Sequence, residues 1–380
     1  MKKIIYTALV SVLLFTACND DDYVTGIRSP EREPDVVLVD RVPGRVVGTY
    51  VAWFVNDINT SLPDPNYFTH LFYAFAELYI DSDGAYQGFK VQGNEARFSQ
   101  IVALKQKNPD LKISIAFSHT VENSDNKQAG GFSLLSKSPV YRKAFANDCK
   151  AFLEKWGIDG VDMDWEFPGL SWSGHAADPA VDVQNHVLLM KELRETLGSR
   201  YLLTYAGYVK DKQEVAGGGW RYIDIKAVDQ YVDFVNIMSY DMDEAPRHQS
   251  ALEDPTAYSD CKRAVQTYLN AGVLPSKLVL GIPFYGRRSF SVSPTSINYN
   301  KIVGLDTKEY KIDNWDETAS VPYVTYNGQY YCGYDNARSI AIKGEWILGM
   351  GMKGMMYWDY NGDDNLGTLR TAVWQATMKK

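Results

Sequence analysis

From residue 46 onwards the chain alternates short runs of β-branched and aromatic residues with stretches of helical periodicity. This alternation is typical of β-strand/α-helix units that build a parallel sheet. Several runs are almost continuously apolar, as expected of strands covered by helices on both faces. Eight strands are predicted, at 46–54, 70–76, 111–117, 160–166, 202–206, 234–239, 278–284 and 354–358. Eight such units predict the α/β class and a (β/α)8 TIM barrel.

A long stretch between the last two predicted strands departs from the alternation. Residues 287–335 are rich in Tyr, Asn and Val and carry turn signals. This composition predicts a small β-rich insertion subdomain. We expect the barrel and its insertion to occupy residues 46–380, a length that buries a large core without disulfides or metal.

One connecting helix carries its own end signals. Ser138 can cap the first turn, in which Pro139 is tolerated, and apolar residues then recur at helical spacing up to residue 156. Gly157 follows, and glycine is the residue that most readily takes the left-handed conformation that ends a helix. The sequence therefore predicts a helix that begins after Ser138 and ends before Gly157.

The first seventeen residues have the pattern of a secretory signal peptide. Two lysines precede an apolar run at 4–15, and small residues follow it. The run is too short to cross a bilayer, because a spanning helix needs about 20 apolar residues. We predict that residues 1–17 are a signal peptide and that residues 18–45, which are polar and rich in Asp, Arg and Pro, form a flexible tether.

The junction Thr16-Ala17-Cys18 resembles a bacterial lipobox. This resemblance implies that Cys18 is lipidated and that the chain touches a membrane only through that lipid anchor. The acidic residues that follow resemble the signal of surface lipoproteins in Bacteroidetes-like bacteria. We therefore expect an outer-membrane lipoprotein exposed at the cell surface, with a periplasm-facing position and ordinary secretion as alternatives.

Charge and cysteine usage narrow the classes of partner. The chain has 39 Lys and Arg against 47 Asp and Glu, a net charge of −8, and no basic run, which argues against a nucleic-acid partner. Beyond Cys18, the three cysteines at 149, 261 and 332 give neither a disulfide framework nor zinc-ligand spacing. Aromatic residues make up 13% of the chain and can fill a core or stack on sugar rings.

The fourth predicted strand ends in GIDGVDMDWEFPG, at 157–169. Because side chains of a strand alternate between its faces, Asp162, Asp164 and Glu166 should all point into the barrel, near the rim where barrel enzymes have their active sites. Like charges at this spacing raise the pKa of at least one carboxyl group, which can then act as a general acid on a glycosidic bond. A divalent-metal site is the alternative. No further ligand is suitably spaced, so no metal is predicted.

The segment DGVDMDWE fits the DxxDxDxE signature of glycoside hydrolase family 18, the chitinases and their relatives, at Asp159, Asp162, Asp164 and Glu166. Further segments resemble other strands of that family. They are THLFYAFAE (69–77), VNIMSYD (235–241), LVLGIPFYGR (278–287) and GMKGMMYWDYNGDD (351–364). The resemblance covers residues 46–380 and supports the predicted barrel.

The resemblance also implies roles for residues. Glu166 would protonate the leaving oxygen and then activate water, while Asp164 would orient the substrate's 2-acetamido group and Asp162 would support Asp164. In this family the acetamido oxygen itself attacks the anomeric carbon, with retention. Tyr240 would donate a hydrogen bond to the acetamido carbonyl. The other expected sugar contacts, each of which could instead be a packing residue, are Trp358, Met238, Asp241, Trp53, Tyr285 and Arg287.

One segment departs from the family pattern. In SIAFSHT (114–120), Ser118 and His119 stand where the family usually has the two glycines of SxGG. The bulkier pair would narrow the site or add a polar contact from His119, which affects substrate choice more than catalysis. Three tryptophans in loop-like stretches could build outer sugar subsites, namely Trp172, Trp220 and Trp315.

The expected activity is hydrolysis of β-1,4 bonds in polymers of N-acetylglucosamine, chitin or chito-oligosaccharides, by a monomer without a cofactor. An endo-β-N-acetylglucosaminidase acting on the chitobiose core of N-glycans is an alternative. Such relatives often lack the Trp of DWE, so Trp165 favours the chitinase type. A non-catalytic glycan-binding lipoprotein is a third possibility, which the presence of Glu166 disfavours.

Overall fold

The alternating part of the sequence forms a closed barrel in a computed structural model of the chain, which describes residues 37–52, 61–81, 83–119, 131–171 and 176–380. The predicted signal peptide, most of the predicted tether, Cys18 and Trp53 lie outside the described residues. Residues Leu38–Lys380 form one compact unit.

The described residues contain sixteen strands. They are β1 (Val46–Ala52), β2 (His70–Ile80), β3 (Tyr86–Val91), β4 (Lys112–Ser118), β5 (Gly160–Asp164), β6 (Leu202–Gly207), β7 (Gln213–Glu214), β8 (Trp220–Arg221), β9 (Phe234–Ile237), β10 (Leu278–Pro283), β11 (Tyr285–Arg287), β12 (Ser296–Asn298), β13 (Tyr310–Asp316), β14 (Val321–Tyr326), β15 (Gln329–Gly333) and β16 (Gly354–Trp358). Eight of them form the barrel, in the order β1-β16-β10-β9-β6-β5-β4-β2. All pairs between neighbours are parallel, and β1 also pairs with β2, so the sheet closes. The predicted (β/α)8 barrel is confirmed.

Nine α-helices lie in the described part of the chain. They are α1 (Glu95–Val102), α2 (Phe132–Lys137), α3 (Pro139–Trp156), α4 (Asp182–Leu197), α5 (Ile225–Asp229), α6 (Cys261–Asn270), α7 (Tyr299–Ile302), α8 (Ala337–Gly349) and α9 (Thr368–Met378). The predicted helix after Ser138 is α3: the Ser138 hydroxyl accepts a hydrogen bond from the Tyr141 N–H, and Gly157 ends the helix with a φ of 62°. None of the described helices is both long and apolar enough to cross a membrane.

Within the described residues, three predicted strand ends differ from the structure by two residues or more. The strand predicted at 70–76 continues to Ile80, because its far end pairs with β3, an antiparallel strand that the sequence reading did not predict. The strand predicted at 160–166 ends at Asp164, where the pairing of β5 with β4 stops. The strand predicted at 234–239 ends at Ile237.

A second sheet lies between the last two barrel strands in the sequence. Its five strands pair in the order β12-β11-β15-β14-β13 and span Tyr285–Gly333, within and just before the predicted β-rich stretch. The pairs are antiparallel, in contrast to those of the barrel. Because β11 follows β10 after a single residue, this sheet begins at the rim where the barrel strands end.

The interior of the barrel is filled by apolar side chains, and polar side chains lie above them, toward the carboxyl ends of the strands. A cluster of buried apolar side chains fills the lower part: Val46, Tyr50, Phe72, Ala74, Ala116, Phe234, Val279 and Met356. Close packing there leaves no space at Gly48, where a Cβ atom would lie 2.9 Å from the Cβ atom of Met356. The polar side chains toward the carboxyl ends of the strands therefore rest on a rigid apolar base.

Candidate active site

Asp162 is fully buried and held by three side chains from three other barrel strands. The hydroxyl of Tyr50 donates to one carboxylate oxygen at 2.6 Å, and the hydroxyl of Thr204 donates to the other at 2.5 Å. The amide of Asn236 donates to the second oxygen at 3.3 Å. Burial raises the pKa of Asp162 to about 6, although the three hydrogen bonds favour the charged form. The three hydrogen bonds thus fix the orientation of the carboxyl group.

Asp164 and Glu166 form an acidic pair above Asp162, joined by a hydrogen bond between their carboxyl groups. Burial raises the pKa of Asp164 well above its ordinary value, and the nearby charges of Glu166 and Asp162 raise it further. Burial also raises the pKa of Glu166 to about 7. The hydrogen bond with Asp164 lowers this pKa, and the charge of Asp241 raises it. Two carboxyl groups this close do not both ionise near neutral pH, so the pair retains a proton there.

One oxygen of Asp164, Oδ1, is buried and accepts no hydrogen bond from any side chain or backbone group in the described residues. Buried acceptors are almost always paired, because an unpaired one loses its hydration without compensation. Asp164 lines the cavity at the rim of the barrel. If the carboxyl group turns toward the cavity, a ligand there can supply the missing donor to this oxygen.

Tyr240 lies at the same rim, just after β9, and lines the cavity. Burial raises the pKa of its hydroxyl well above 10, and the carboxylates of Asp164, Glu166 and Asp241 raise it further. The phenol therefore keeps its proton and can act as a hydrogen-bond donor. The ring of Tyr285 packs against that of Tyr240 edge-on, with centroids 6.3 Å apart.

Asp241 is paired with Arg287 from the second sheet. The guanidinium donates from Nε to Oδ1 at 2.7 Å and from Nη2 to Oδ2 at 2.5 Å. Asp241 lies against the cavity, whereas the buried Arg287 lies behind it. Arg287 thus acts on the cavity through Asp241 in this structure, and the sugar contact expected of it stays a prediction.

The cavity above the carboxylates has a volume of about 560 Å³. Trp358, at the end of β16, stacks on Phe75 with a centroid distance of 5.8 Å and an interplanar angle of 22°, and these rings form an aromatic floor. The lining residues are Tyr50, Phe75, Ser118, Asp164, Glu166, Phe167, Ala206, Tyr208, Met238, Tyr240, Asp241, Met242, Asp243, Glu244, Tyr258, Tyr285, Phe290 and Trp358. A cavity of this size, lined by both carboxyl groups and aromatic rings, suits a sugar ring.

The structure brings most of the sequence-predicted residues together. Glu166, Asp164, Tyr240, Trp358, Met238, Asp241 and Tyr285 line the cavity, while Asp162 lies beneath it. Trp53 and Trp172 lie outside the described residues. Trp220 and Trp315 are not among the residues that line the described cavity: Trp220 lies on the β7–β8 hairpin, and Trp315 lies under the guanidinium of Arg338, 3.7 Å from its ring. The outer subsites expected at those two residues stay a prediction.

Sequence reasoning missed several polar contacts of the carboxylates. Tyr50, Thr204 and Asn236 all face the interior of the barrel, where they contact Asp162. The alternation of side chains along each strand could have predicted this orientation. His119 was considered only as a weak polar contact, yet its Nδ1 accepts a hydrogen bond of 3.1 Å from the Glu166 N–H. No local signal identifies that contact, because it joins two strand ends 47 positions apart.

A parallel barrel with buried carboxyl groups beneath a cavity lined by aromatic rings fits a barrel glycoside hydrolase. The sequence profile described as "Glycosyl hydrolases family 18" matches residues 45–363. The chain belongs to this family.

Individual relatives agree with that assignment. The chain is 28% identical to chitinase A1 of Niallia circulans, and the match covers 84% of this chain but only 57% of that longer protein. A family 18 N-acetylglucosaminidase from Paenibacillus barengoltzii has a similar structure, with 26% identity, a TM-score of 0.71 and coverage of 87% of this chain and 99% of that one. The group IV chitinase of Ostrinia furnacalis, solved in complex with allosamidin, is also 26% identical, with a TM-score of 0.70 and coverage of 88% and 97%.

Proposed function

We propose that this family 18 enzyme hydrolyses the β-1,4 bond that follows N-acetylglucosamine in chitin or chito-oligosaccharides, by substrate-assisted retention. The observation that carries the proposal is that Oδ1 of Asp164 is buried and unpaired, while the pair formed by Asp164 and Glu166 retains a proton. The N–H of a 2-acetamido group is a donor of the right kind for this oxygen. A 2-hydroxyl group is also a donor, so the choice of an N-acetylated sugar rests on the chitinases to which the chain is similar.

The first step uses the proton that the carboxyl pair retains. When the acetamido N–H donates to Asp164, the charged form of Asp164 is stabilised, so the proton moves to Glu166. Glu166 then protonates the glycosidic oxygen, and the acetamido oxygen attacks the anomeric carbon as the bond to the leaving sugar breaks. The product of this step is a cyclic oxazolinium ion, whose positive charge the Asp164 carboxylate stabilises.

The second step returns the enzyme to its starting state. Glu166, now a carboxylate, takes a proton from a water molecule, and the oxygen of that water bonds to the anomeric carbon from the face that the leaving sugar left. The bond between the anomeric carbon and the acetamido oxygen breaks in this step, which restores the acetamido group. The two successive inversions at the anomeric carbon retain its configuration. The Tyr240 phenol, which keeps its proton, donates to the acetamido oxygen and holds it below the anomeric carbon. The rings of Trp358 and Phe75 support the apolar face of the sugar.

Product analysis by mass spectrometry tests the proposal. Purified residues 19–380 are given chitohexaose and, separately, an N-glycosylated protein. Short chito-oligomers from the first substrate support the proposal. Released glycans that leave one N-acetylglucosamine on asparagine would replace it with the endo-β-N-acetylglucosaminidase alternative. Binding of chitohexaose without cleavage of either substrate would replace it with a non-catalytic glycan-binding protein.

We also propose that the chain is anchored to the outer membrane by a lipid on Cys18, faces outwards from the cell surface and acts as a monomer. The support is the lipobox-like sequence and the acidic residues after it. Radiolabelled fatty acid should be incorporated into the wild-type chain in bacterial cells but not into Cys18→Ala. Protease added to intact cells should degrade the anchored protein, and protection from protease would place it on the periplasmic side.

A further inference from the structure

The position of the Glu166 backbone is set beyond the end of the regular sheet. The pairing of β4 with β5 ends at Ser118 and Asp164. Just past that point, the His119 N–H donates to the Asp164 carbonyl oxygen at 3.3 Å. The Glu166 N–H then donates to a side-chain atom, Nδ1 of His119, at 3.1 Å. A ring nitrogen thus accepts the hydrogen bond of the residue that carries the acid.

The His119 side chain is suited to hold this backbone in place. Its residue is only 3% exposed, so the ring is fixed by packing. A buried N–H that loses its acceptor is costly, and the backbone would shift to find another. A displacement of about 1 Å at a reacting group can lower a rate about 100-fold. The hydrogen bond therefore links the packing of one side chain to the placement of the Glu166 carboxyl group.

We propose that His119 is a positioning residue that fixes Glu166 for proton transfer by accepting its backbone N–H. The neighbouring Ser118 hydroxyl hydrogen-bonds to Asp164 and lowers the pKa of that carboxyl group. The pair at the end of β4 therefore contacts both members of the acidic pair. Glycines at these positions would supply neither side-chain contact. This role rests on the proposed hydrolase activity of Glu166.

The contact also defines the protonation state of the ring. A nitrogen that accepts a hydrogen bond carries a lone pair, so His119 has its proton on Nε2. A ring protonated on both nitrogens would place an N–H group against the Glu166 N–H.

Two substitutions separate positioning from packing. His119→Asn places an amide oxygen near the position of Nδ1 and keeps the acceptor, whereas His119→Leu fills similar space without one. We expect His119→Leu to lower kcat on chito-oligosaccharides about 10- to 100-fold with KM changed by less than about 2-fold, and His119→Asn to retain kcat within about 3-fold of wild type. Equal losses in the two variants, or a loss confined to KM, would overturn the proposal.

A matched control and a second measurement make the test independent of activity. His186 is also buried and packs edge-on against Trp165, with ring nitrogens that find no partner in the described residues, so His186→Leu should leave kcat unchanged. In ¹⁵N-histidine-labelled protein, long-range ¹H–¹⁵N NMR should show His119 as the Nε2–H tautomer. The Nδ1–H tautomer would overturn the proposal. A wild-type enzyme that cleaves none of the substrates would instead contradict the proposed function and leave the tautomer measurable.

Discussion

The guanidinium of Arg287, on the first strand of the second sheet, is bonded to both oxygens of the Asp241 carboxylate at the rim of the barrel. Asp241 in turn raises the pKa of Glu166 through its charge. The second sheet therefore influences the charge state of Glu166 through Arg287 and Asp241, although Asp162, Asp164 and Glu166 all lie outside that sheet.

Arg287→Met removes the positive charge while keeping a long apolar side chain. Asp241 then acts on Glu166 without a counter-charge, so the pKa of Glu166 should rise. We expect the alkaline limb of the kcat/KM profile to move upward by roughly half a pH unit. We expect kcat/KM at pH 6 to fall about 10-fold, because the Asp241 carboxylate at the cavity has lost the partner that orients it. Arg288→Met is the control, since that guanidinium lies over the Tyr331 ring, 4.7 Å from its centroid. An alkaline limb that stays in place or moves to lower pH would show that Arg287 does not influence the pKa of Glu166 through Asp241.

Glu166→Gln removes the proton donor at nearly constant shape. We expect kcat on chito-oligosaccharides to fall about 1,000-fold or more, with binding of the same oligosaccharide retained, because general acid–base groups typically contribute 100- to 10,000-fold. Initial rates and calorimetric titration measure the two quantities separately. Full activity in this variant would exclude Glu166 as the acid.

The same variant should be more heat-stable than wild type in alkaline buffer. The pKa of Glu166 is about 7 in the folded protein against 4.5 ordinarily, so the folded state binds the extra proton between these values. The stabilisation is fully present below pH 4.5 and is lost as pH rises through 7. Glutamine does not ionise, so we expect equal Tm values at pH 4 and a Tm about 2 °C higher for Glu166→Gln at pH 8.

Glu195→Gln, at an exposed side chain of α4, provides the control for the stability measurement. It should follow wild type at both pH values in calorimetric scans. A stability difference between Glu166→Gln and wild type that is the same at pH 4 and pH 8 would mean that ionisation of Glu166 is not its cause.

Tyr50→Phe removes one hydrogen bond to Asp162 and keeps the ring, which stacks on Phe72 at 4.8 Å. Because that bond lowers the pKa of Asp162, its loss should raise this pKa and weaken the negative charge beneath Asp164. We expect kcat to fall about 10-fold with little change in Tm. Tyr73→Phe serves for comparison: its hydroxyl donates to the Gln92 carbonyl oxygen, and the variant should keep its activity. Equal kcat values for Tyr50→Phe and wild type would show that the bond does not matter for catalysis.

The sequence predicted those features of the site that follow from the alternation of side chains along a single strand. Strand parity places Asp162 and Asp164 on one face without knowledge of the neighbours. The strand end was misplaced by two residues, because Glu166 is held by the His119 ring and not by the ladder. Only the folded chain shows that contact.

Arg287 illustrates the other limit. It was expected to contact sugar, but in the structure it donates two hydrogen bonds to Asp241, 46 positions away, and its remaining Nη1 group donates to Thr295. An arginine within reach of a carboxylate pairs with it in preference to a neutral ligand, and sequence spacing does not show which carboxylate is within reach.

The strand β3 was also missed. It pairs with the extended end of β2 through cross-strand contacts that local propensity does not specify.

The support of Asp162 has a consequence for refolding. The bond from Tyr50 spans 112 positions, and the bond from Asn236 to the Tyr50 hydroxyl spans 186. Contacts of such separation form late, because the loops they close cost much chain entropy. Tyr50 lies on β1, which must pair with both β2 and β16 before the ring of strands is complete. Recovery of catalysis after dilution from denaturant should therefore lag behind recovery of helical circular dichroism and mark the moment at which the last strand joins the first.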